Sequence, residues 1–337
     1  MTLLEVRNLS IGLKRGNKIY TAVDRIDFSI NAGEIVAFAG ESGSGKSLTA
    51  LSIAQLLPPK AKITGGEIRY CANSIVNVCS LDEQLLCRIR GKEISMIFQE
   101  PRQSLNPLMR IGDQIAETLK LHGVDKKTAN TEALDILNKL RFPEPEKIIG
   151  SWPHQLSGGM CQRVMIAIAA ICRPRLLIAD EPITALDPVN QNQILSLLNQ
   201  INHEFGTAIL FISHDLSVVQ DFCSRFLVMY AGHIIEEGPA RAIVSKPVHP
   251  YTSGLAGAVP RKENRDMPLA VIPGNTPSLE ETASDDIGNK GCSFVKRCSK
   301  AHERCAKAFP PWAKVAEDHR VRCFIAESVP PKDSFNG

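Results

Sequence analysis

Residues Gly40-Glu41-Ser42-Gly43-Ser44-Gly45-Lys46-Ser47 form a run rich in glycine and serine on which the fold assignment depends. It follows the apolar run Ile35-Val36-Ala37-Phe38-Ala39 and precedes a helix-compatible run from Leu48 to Leu56. The glycines let consecutive backbone N–H groups turn inward around phosphate oxygens, and the N-terminus of the following helix adds partial positive charge. A strand, a glycine-rich loop and a helix in this order predict an α/β domain that binds a nucleotide.

Two side chains at the end of this loop carry the expected chemistry. Lys46 can reach the β- and γ-phosphates of a nucleotide, and the hydroxyl of Ser47 is suited to ligate Mg²⁺. A Gly/Ser-rich turn without a ligand is the simpler alternative, but it leaves the complete eight-residue pattern between a strand and a helix unexplained. We therefore predict a site for a nucleoside triphosphate and Mg²⁺. Its expected residues are Gly40, Glu41, Ser42, Gly43, Ser44, Gly45, Lys46, Ser47 and Leu48.

Further patterns extend the α/β alternation along the chain. Leu176-Leu177-Ile178-Ala179 and Ala208-Ile209-Leu210-Phe211-Ile212 are continuous apolar runs, as expected for a parallel sheet covered on both faces. Asp187 followed by Pro188 is a helix start signal. Two amphipathic helices are predicted from apolar residues at i, i+3, i+4 and i+7: Ala133, Ile136, Leu137, Leu140 and Ile194, Leu197, Leu198, Ile201. Between residues 100 and 160 the strand signal fades, which predicts a helical subdomain.

A second motif is the acidic pair that ends the run Leu176-Leu177-Ile178-Ala179-Asp180-Glu181. Asp180 at the end of the strand suits a water-mediated contact to Mg²⁺. Glu181 beside it is suited to accept a proton from an attacking water molecule, as a general base. An acidic pair at a strand end is commonly only a solvated turn, so its role depends on the phosphate-binding loop earlier in the chain.

A third motif is Leu156-Ser157-Gly158-Gly159-Met160-Cys161-Gln162-Arg163. Ser157 and the two glycines stand at the start of an apolar helix that is predicted to reach Cys172. This arrangement presents a hydroxyl and free backbone N–H groups at a positive helix end, which is a second anion site. The alternative is a flexible Gly-Gly helix start without a ligand.

The composition limits the class of protein. The chain has 337 residues with 44% hydrophobic residues, and its 39 basic and 36 acidic residues leave a net charge of +3. These values are typical of a folded globular protein, and no basic block indicates a nucleic-acid partner. The apolar run from Val164 to Cys172 is too short to cross a bilayer, and the N-terminus has no secretion signal. We expect a cytosolic chain with at most a peripheral membrane role.

The last part of the chain contains four closely spaced cysteines: Cys292, Cys298, Cys305 and Cys323. They follow Val259 to Lys290, a polar stretch without periodicity that we interpret as a linker or an extended packing segment. In a reducing compartment such a cluster favours metal ligation over disulfides. Four thiolates can hold a zinc ion or a [4Fe–4S] cluster, and the absence of Cys-x2-Cys pairs favours the cluster over zinc. Four reduced cysteines in a small packed subdomain remain the alternative.

The order of these motifs resembles the nucleotide-binding subunits of ATP-binding cassette (ABC) transporters. The resemblance covers residues 1–255 and rests on the phosphate-binding loop, Gln99, the Leu-Ser-Gly-Gly segment, the acidic pair and His214. It implies an α/β P-loop NTPase fold of the ABC type, with a mixed sheet, a helical subdomain and a small Cys-rich extension over residues 256–337. It also implies that ATP is the nucleotide and that the chain is an ATPase.

The resemblance further implies roles for single residues. Gln99 would contact Mg²⁺ and the attacking water, and His214 would contact the γ-phosphate. Members of this family work as head-to-tail dimers, which would place Asp187 at the interface. In such a dimer Ser157, Gly158 and Gly159 would close over the ATP of the partner. The family stacks adenine on an aromatic residue near the N-terminus, for which Tyr20 is the candidate.

A narrower resemblance, to the oligopeptide/dipeptide and nickel importer ATPases, covers nearly the whole chain. It rests on short segments outside the ATPase motifs, at residues 98–101, 104–107, 153–157, 229–232, 249–252, 272–274, 291–294 and 297–298. It implies a peptide importer with a second ATPase subunit, two transmembrane permease subunits and, indirectly, a substrate-binding protein. The chain would lie at the cytoplasmic face of the inner membrane, and its four tail cysteines would hold an iron–sulfur cluster.

Three other functions stay open from the sequence. A nickel or other small-solute importer would need no different residues in this chain. A soluble ABC ATPase of translation or DNA maintenance usually has two cassettes or a long coiled-coil insertion, and neither pattern occurs here. A metal-sensing regulator would use the tail cluster to gate hydrolysis.

Overall fold

The computed structural model describes residues 1–72, 74–184, 186–216, 220–258, 272–284 and 291–328. Its strands are β1 Thr2–Arg15, β2 Lys18–Asn31, β3 Ile35–Ala39, β4 Ala61–Cys71, β5 Ile75–Asn77, β6 Ile94–Ile97, β7 Leu176–Asp180, β8 Ala208–Ser213, β9 Arg225–Tyr230, β10 His233–Pro239, β11 Ala313–Ala316 and β12 His319–Val321. Its α-helices are α1 Lys46–Ile53, α2 Glu83–Ile89, α3 Pro101–Ser104, α4 Ile111–Leu121, α5 Lys126–Lys139, α6 Pro145–Gly150, α7 Gly158–Ala170, α8 Pro188–Phe205, α9 Ala240–Ser245, α10 Pro250–Gly257, α11 Leu279–Ser284 and α12 Glu303–Lys307. Single 3-10 turns occur at Val78–Ser80, Pro153–Gln155, Val295–Arg297 and Phe324–Ser328.

The chain forms two compact units. The first unit contains Met1–Leu3, Ile30–Ile35 and Ser80–Ile212. The second unit contains Leu4–Ser29, Val36–Cys79 and Ser213–Gly337.

The first unit contains three parallel strands in the order β8-β7-β6. Leu176 lies opposite both Ile94 and Ala208, and the register continues to the pair Asp180 and Ile212. Every residue of β7 and β8 is buried, because covered parallel strands expose neither face to water. The prediction of buried parallel strands at residues 176–179 and 208–212 is therefore confirmed.

The helices of the first unit follow the predicted apolar pattern. The predicted core positions of α5 and α8 are all buried, and Oδ1 of Asp187 accepts hydrogen bonds from the N–H groups of Val189 and Asn190 at the start of α8. Residues 101–155 contain helices and no strand among those described, as the fading strand signal predicts. Gly112 of α4 lies so close to α6 that a Cβ atom there would stand 2.3 Å from Cγ1 of Ile149. None of the described helices is long and apolar enough to cross a membrane.

The second unit contains strands that the sequence did not indicate. One sheet has the order β2-β1-β4-β5, with β4 antiparallel to both β1 and β5. A second set has the order β11-β12-β10-β9-β3, in which β3 and β9 are parallel and the other pairs are antiparallel. This combination confirms the predicted mixed sheet. The four-stranded sheet escaped prediction because its strands are half exposed and lack continuous apolar runs.

The C-terminal segment joins the second set through β12. Glu236 and Glu237 of β10 lie opposite Val321 and Arg320 of β12. The buried carboxylate of Glu236 accepts hydrogen bonds from the backbone N–H groups of Val248 and His249, and Nε2 of His319 lies 2.8 Å from it. A buried carboxylate needs such partners, so it binds these chain segments together.

Part of the predicted linker from Val259 to Lys290 lies outside the described residues. Its described part, residues 272–284, contains the short helix α11. The sequence did not predict this helix, because the stretch shows no periodic apolar pattern. A helix of six residues is too short to show a repeating apolar pattern.

Candidate nucleotide site

The phosphate-binding loop joins β3 to α1 in the second unit. Gly40 has φ +149°, and a Cβ atom there would stand 2.3 Å from the carbonyl oxygen of Met229. Gly45 caps the N-terminus of α1 with φ +106°, and a Cβ atom there would stand 2.9 Å from Cγ2 of Val23. Both positions need glycine, because a side chain would be strained and would collide with its neighbours. The glycines therefore shape the loop, as predicted.

Lys46 is nearly fully buried, with 4% of its surface exposed. Its Nζ donates hydrogen bonds to the carbonyl oxygens of Gly40 and Glu41, at 2.7 Å and 2.8 Å, and to Oγ of Ser44 at 3.3 Å. The ammonium group thus lies within the turn of the loop. Ser47 follows in the first turn of α1 and is half buried. A cation and a helix N-terminus at one loop form a site suited to phosphate groups.

Glu41 has contacts that the sequence did not predict. Its carboxylate forms a two-pronged salt bridge with Arg297 and accepts a hydrogen bond from the hydroxyl of Thr276. Its backbone N–H donates to the hydroxyl of Tyr251 at 2.7 Å. No local pattern could have indicated these partners, since Arg297 lies 256 positions further along the chain.

The acidic pair lies at the end of β7 in the first unit. Asp180 is the last residue of the strand and is 6% exposed. Oε2 of Glu181 accepts hydrogen bonds from Nε2 of Gln99 at 3.1 Å and from Oγ1 of Thr184 at 2.9 Å. The structure therefore brings Gln99 and Glu181 together, 82 positions apart in the chain. Thr184 is a further residue of this site that sequence reasoning missed.

Glu181 has an unusual backbone conformation. Its φ is +48°, in the left-handed region that is unfavourable for a residue with a Cβ atom. Its backbone N–H donates to the carbonyl oxygen of Ile212 at 3.1 Å, so the position is held from the neighbouring strand. Strained backbone of this kind is concentrated at functional sites.

The Leu-Ser-Gly-Gly segment forms the start of α7 in the first unit. Ser157 is exposed and caps the helix, because its Oγ accepts a hydrogen bond from the N–H of Met160 at 3.3 Å. Around Gly158, no atom would lie within 4 Å of a Cβ atom placed there. At Gly159 a Cβ atom would approach Oδ1 of Asn190 to 3.2 Å. The segment therefore presents an open helix N-terminus with a hydroxyl beside it.

The remaining predicted nucleotide-site residues lie on the surface or close to it. Asp187 is exposed, and hydrogen bonds from Asn190 lower the pKa of its carboxyl. His214 follows β8 directly and is exposed, and Tyr20 lies near the start of β2 and is half buried. Leu48 is half buried in α1.

The four tail cysteines lie in the second unit. Burial is the main cause that raises the pKa of the Cys292 thiol to about 12, and the charges of the other three thiols act in the same direction. The backbone N–H of Cys292 donates to the carbonyl oxygen of Cys305 at 2.7 Å. All four are free cysteines. Among the described residues, however, no group of three or more His, Cys, Asp or Glu side chains is placed to hold a metal ion. The structure thus does not show the predicted metal site.

Similarity to known proteins decides the family. Residues 23–184 match the ABC transporter family, and residues 235–305 match the family described as "Oligopeptide/dipeptide transporter, C-terminal region". The oligopeptide transport ATP-binding protein OppD of Haemophilus influenzae is 46% identical over 304 residues, which are 90% of this chain and 91% of that protein. OppD of Salmonella typhimurium is 45% identical over 96% of this chain and 93% of that protein.

The chain belongs to the oligopeptide/dipeptide transporter family of ABC ATPases. The resemblance inferred from the motifs is therefore confirmed, and so is the expectation that the chain is an ATP-binding ATPase. A solved dimeric ATP-binding cassette in a post-hydrolysis state, bound to ADP and Pi, is 30% identical with a TM-score of 0.63. The alignment covers 71% of this chain and 99% of that one. This similarity confirms the ABC-type P-loop fold.

Proposed function

We propose that this ABC ATPase powers the uptake of dipeptides and oligopeptides, as a peripheral subunit at the cytoplasmic face of the inner membrane. For ATP hydrolysis, the observation that carries the proposal is the carboxylate of Glu181, held between the amide of Gln99 and the hydroxyl of Thr184. A carboxylate oriented in this way is suited to accept a proton from the water that attacks the γ-phosphate. The matches of the chain to oligopeptide transport proteins support the peptide substrate.

The other proposed roles concern the binding of the phosphates and of adenine. Lys46 and the backbone N–H groups of residues 40–47 bind the phosphates, and His214 stabilises charge on the γ-phosphate. Adenine stacks on Tyr20. The role of the loop is supported by the buried ammonium of Lys46 and by the glycines at the tight turns. Electrostatic stabilisation of this kind supplies most of the acceleration in phosphoryl transfer.

Each of the two units contains oxygen donors suited to Mg²⁺. Ser47, Gln99 and Asp180 would hold the ion through a hydroxyl, an amide oxygen and a carboxylate, which are the ligand types that Mg²⁺ prefers. When bound, Mg²⁺ neutralises charge on the β- and γ-phosphates. The buried position of Asp180 at a strand end supports this assignment.

A head-to-tail dimer is the proposed working form. Ser157, Gly158 and Gly159 of one subunit close over the ATP of the other, and Asp187 lies at the interface. The open N-terminus of α7 supports this role, since its exposed hydroxyl and unhindered glycine leave room for an anionic ligand. The second subunit is an identical chain or a related ATPase. Two permease subunits and a substrate-binding protein complete the importer.

We also propose that the C-terminal part, residues 256–337, holds a [4Fe–4S] cluster through Cys292, Cys298, Cys305 and Cys323. The close spacing of these four free cysteines in the sequence supports a soft-metal ligand set. Zinc is the alternative occupant. Anaerobic purification followed by iron, sulfide and zinc analysis tests the proposal. We expect about four iron and four sulfide per chain, and less than half an atom of any metal would overturn metal binding.

The transport function is tested by extracting the tagged chain from its native membranes with mild detergent. We expect two multi-span membrane proteins and a second ATPase chain to co-purify. A peptide in the associated binding protein would support the peptide substrate, and nickel in its place would overturn it. Recovery without membrane proteins, or with ribosomes or DNA enzymes, would overturn the transport function while leaving the ATPase chemistry intact.

A further inference from the structure

The phosphate-binding loop is joined to the C-terminal segment by an ion pair within the second unit. Nη1 of Arg297 donates to Oε2 of Glu41 at 2.7 Å, and Nη2 donates to Oε1 at 3.0 Å. A parallel two-pronged pair of this type is stronger and more directional than a single contact. The side chain of Arg297 is only 7% exposed and that of Glu41 is 26% exposed, so water screens the pair weakly.

The guanidinium of Arg297 has several hydrogen-bond partners besides Glu41. Its remaining N–H groups donate to the carbonyl oxygens of Pro273 and Gly274 and to the hydroxyl of Tyr230. Each of its five donors therefore has an acceptor. The guanidinium also lies over the rings of Tyr230 and Phe294, at 5.7 Å and 5.8 Å from their centres. These contacts fix the position of the cation.

Glu41 is held as completely as its partner. Besides Arg297, its carboxylate accepts a hydrogen bond from Thr276, and its backbone N–H and C=O are bound by Tyr251 and Lys46. Hydrogen bonds from Arg297 lower the pKa of the Glu41 carboxyl most strongly, which keeps it ionised. A permanent negative charge thus lies within a loop whose expected ligand is anionic.

The position of this charge has an electrostatic consequence. A carboxylate beside the phosphates of ATP repels them, and the repulsion is largest where water is excluded. The guanidinium of Arg297 cancels that charge and at the same time fixes the side chain that carries it.

We propose that Arg297 is a positioning residue for ATP: it neutralises Glu41 and thereby completes the phosphate-binding loop from the C-terminal segment. The inference rests on the proposed role of this loop in ATP binding. It makes the ATP affinity dependent on a segment that the ATPase motifs do not include. Because Arg297 directly precedes Cys298, correct folding of the cysteine-bearing segment becomes a condition for tight ATP binding.

Equilibrium binding of a non-hydrolysable ATP analogue to the full chain tests this inference. We expect Arg297→Gln to weaken binding about tenfold, because the Glu41 charge is then uncompensated. Adding Glu41→Gln to that variant should restore the affinity to within about threefold of the unmodified protein. In steady-state hydrolysis, KM for ATP should rise in Arg297→Gln and return towards the unmodified value in the double variant, with little change in kcat. Lys296→Gln, an exposed neighbour in the same segment, is the matched control and should bind normally.

Glu41→Gln alone keeps the shape of the side chain and leaves Arg297 in place. It should therefore bind the analogue more tightly than the unmodified protein, because the charge of Arg297 is then uncompensated, and this measurement does not depend on how well Arg297→Gln folds. Normal affinity of folded Arg297→Gln, absence of rescue in the double variant, or unchanged or weaker binding by Glu41→Gln would each overturn the inference. If the unmodified protein binds no analogue, or Lys46→Ala binds as well as it does, the proposed role of the loop itself fails.

Discussion

Nε2 of Gln99 donates a hydrogen bond of 3.1 Å to Oε2 of Glu181, across two adjacent parallel strands of the first unit. Gln99 follows β6 by two residues and Glu181 follows β7 by one, so parallel pairing alone brings the two side chains to one edge of the sheet. Functional residues of α/β proteins commonly lie at this carboxyl edge. The role of Gln99 was predicted from the family resemblance, and the role of Glu181 was predicted from its chemistry as a carboxylate at a strand end.

Replacing the proposed general base tests its chemical role. Glu181→Gln should bind ATP normally and lose at least about 100-fold in kcat, since the amide cannot accept the proton of the attacking water. Phosphate release and analogue binding measure the two quantities separately. Glu117→Gln, at an exposed position of α4, is the control. Residual hydrolysis within tenfold of the unmodified enzyme would refute the role of Glu181 as base.

Thr184 should act on catalysis by positioning Glu181. Thr184→Val removes the 2.9 Å hydrogen bond to Oε2 and should lower kcat about tenfold, with KM for ATP unchanged, because the carboxylate becomes free to rotate. Thr184→Ser keeps the hydroxyl and should recover most of the rate. Equal losses in both variants would show that the methyl group, and not the hydrogen bond, matters.

The start of α7 should be required for the closed dimer but not for ATP binding. Ser157→Arg places a large side chain at the open helix N-terminus and should block the approach of a second subunit. Dimer formation with ATP, followed by size-exclusion chromatography in the Glu181→Gln background, measures the effect. Ser196→Arg, on α8, is a control for added charge. Unchanged ATPase activity of Ser157→Arg in the assembled importer would contradict the proposed interface.

The buried imidazole of His249 should make stability dependent on pH. Burial lowers the pKa of His249 to about 4 from an ordinary 6.5, and the nearby carboxylate of Glu236 only partly opposes this. Between these pH values the unfolded chain binds more protons than the folded one, so the free energy of unfolding should fall as the pH falls. Denaturant unfolding from pH 7 to pH 4 measures this dependence.

A variant separates His249 from other groups that titrate in this range. Nδ1 of His249 accepts a hydrogen bond from the N–H of Tyr251 at the start of α10. His249→Asn keeps an acceptor for this N–H and removes the titrating group, so the stability should change less with pH. An unchanged pH dependence in His249→Asn would assign the effect to another residue.

Much of the parallel core could be predicted because its signals are local. Continuous apolar runs mark β3, β7 and β8, and Asp187 followed by Pro188 marks the start of α8. The four-stranded sheet of β2, β1, β4 and β5 was missed, since partly solvated strands have weaker patterns. The helix α11 was missed because it is shorter than any apolar repeat.

The chemistry of the phosphate-binding loop follows from local sequence, since glycines, a lysine and a serine at set spacing have a local geometric purpose. The family also follows from the sequence, because the order of the motifs along the chain is distinctive. The distant groups that meet in the fold became evident from the tertiary structure: Gln99 with Glu181, and Glu41 with Arg297. Such contacts depend on strand pairing and on the path of the C-terminal segment, and neither leaves a periodic signal in the residues concerned. The spacing of the four cysteines does not identify their ligand, because spacing along the chain does not show how the thiols are arranged in space.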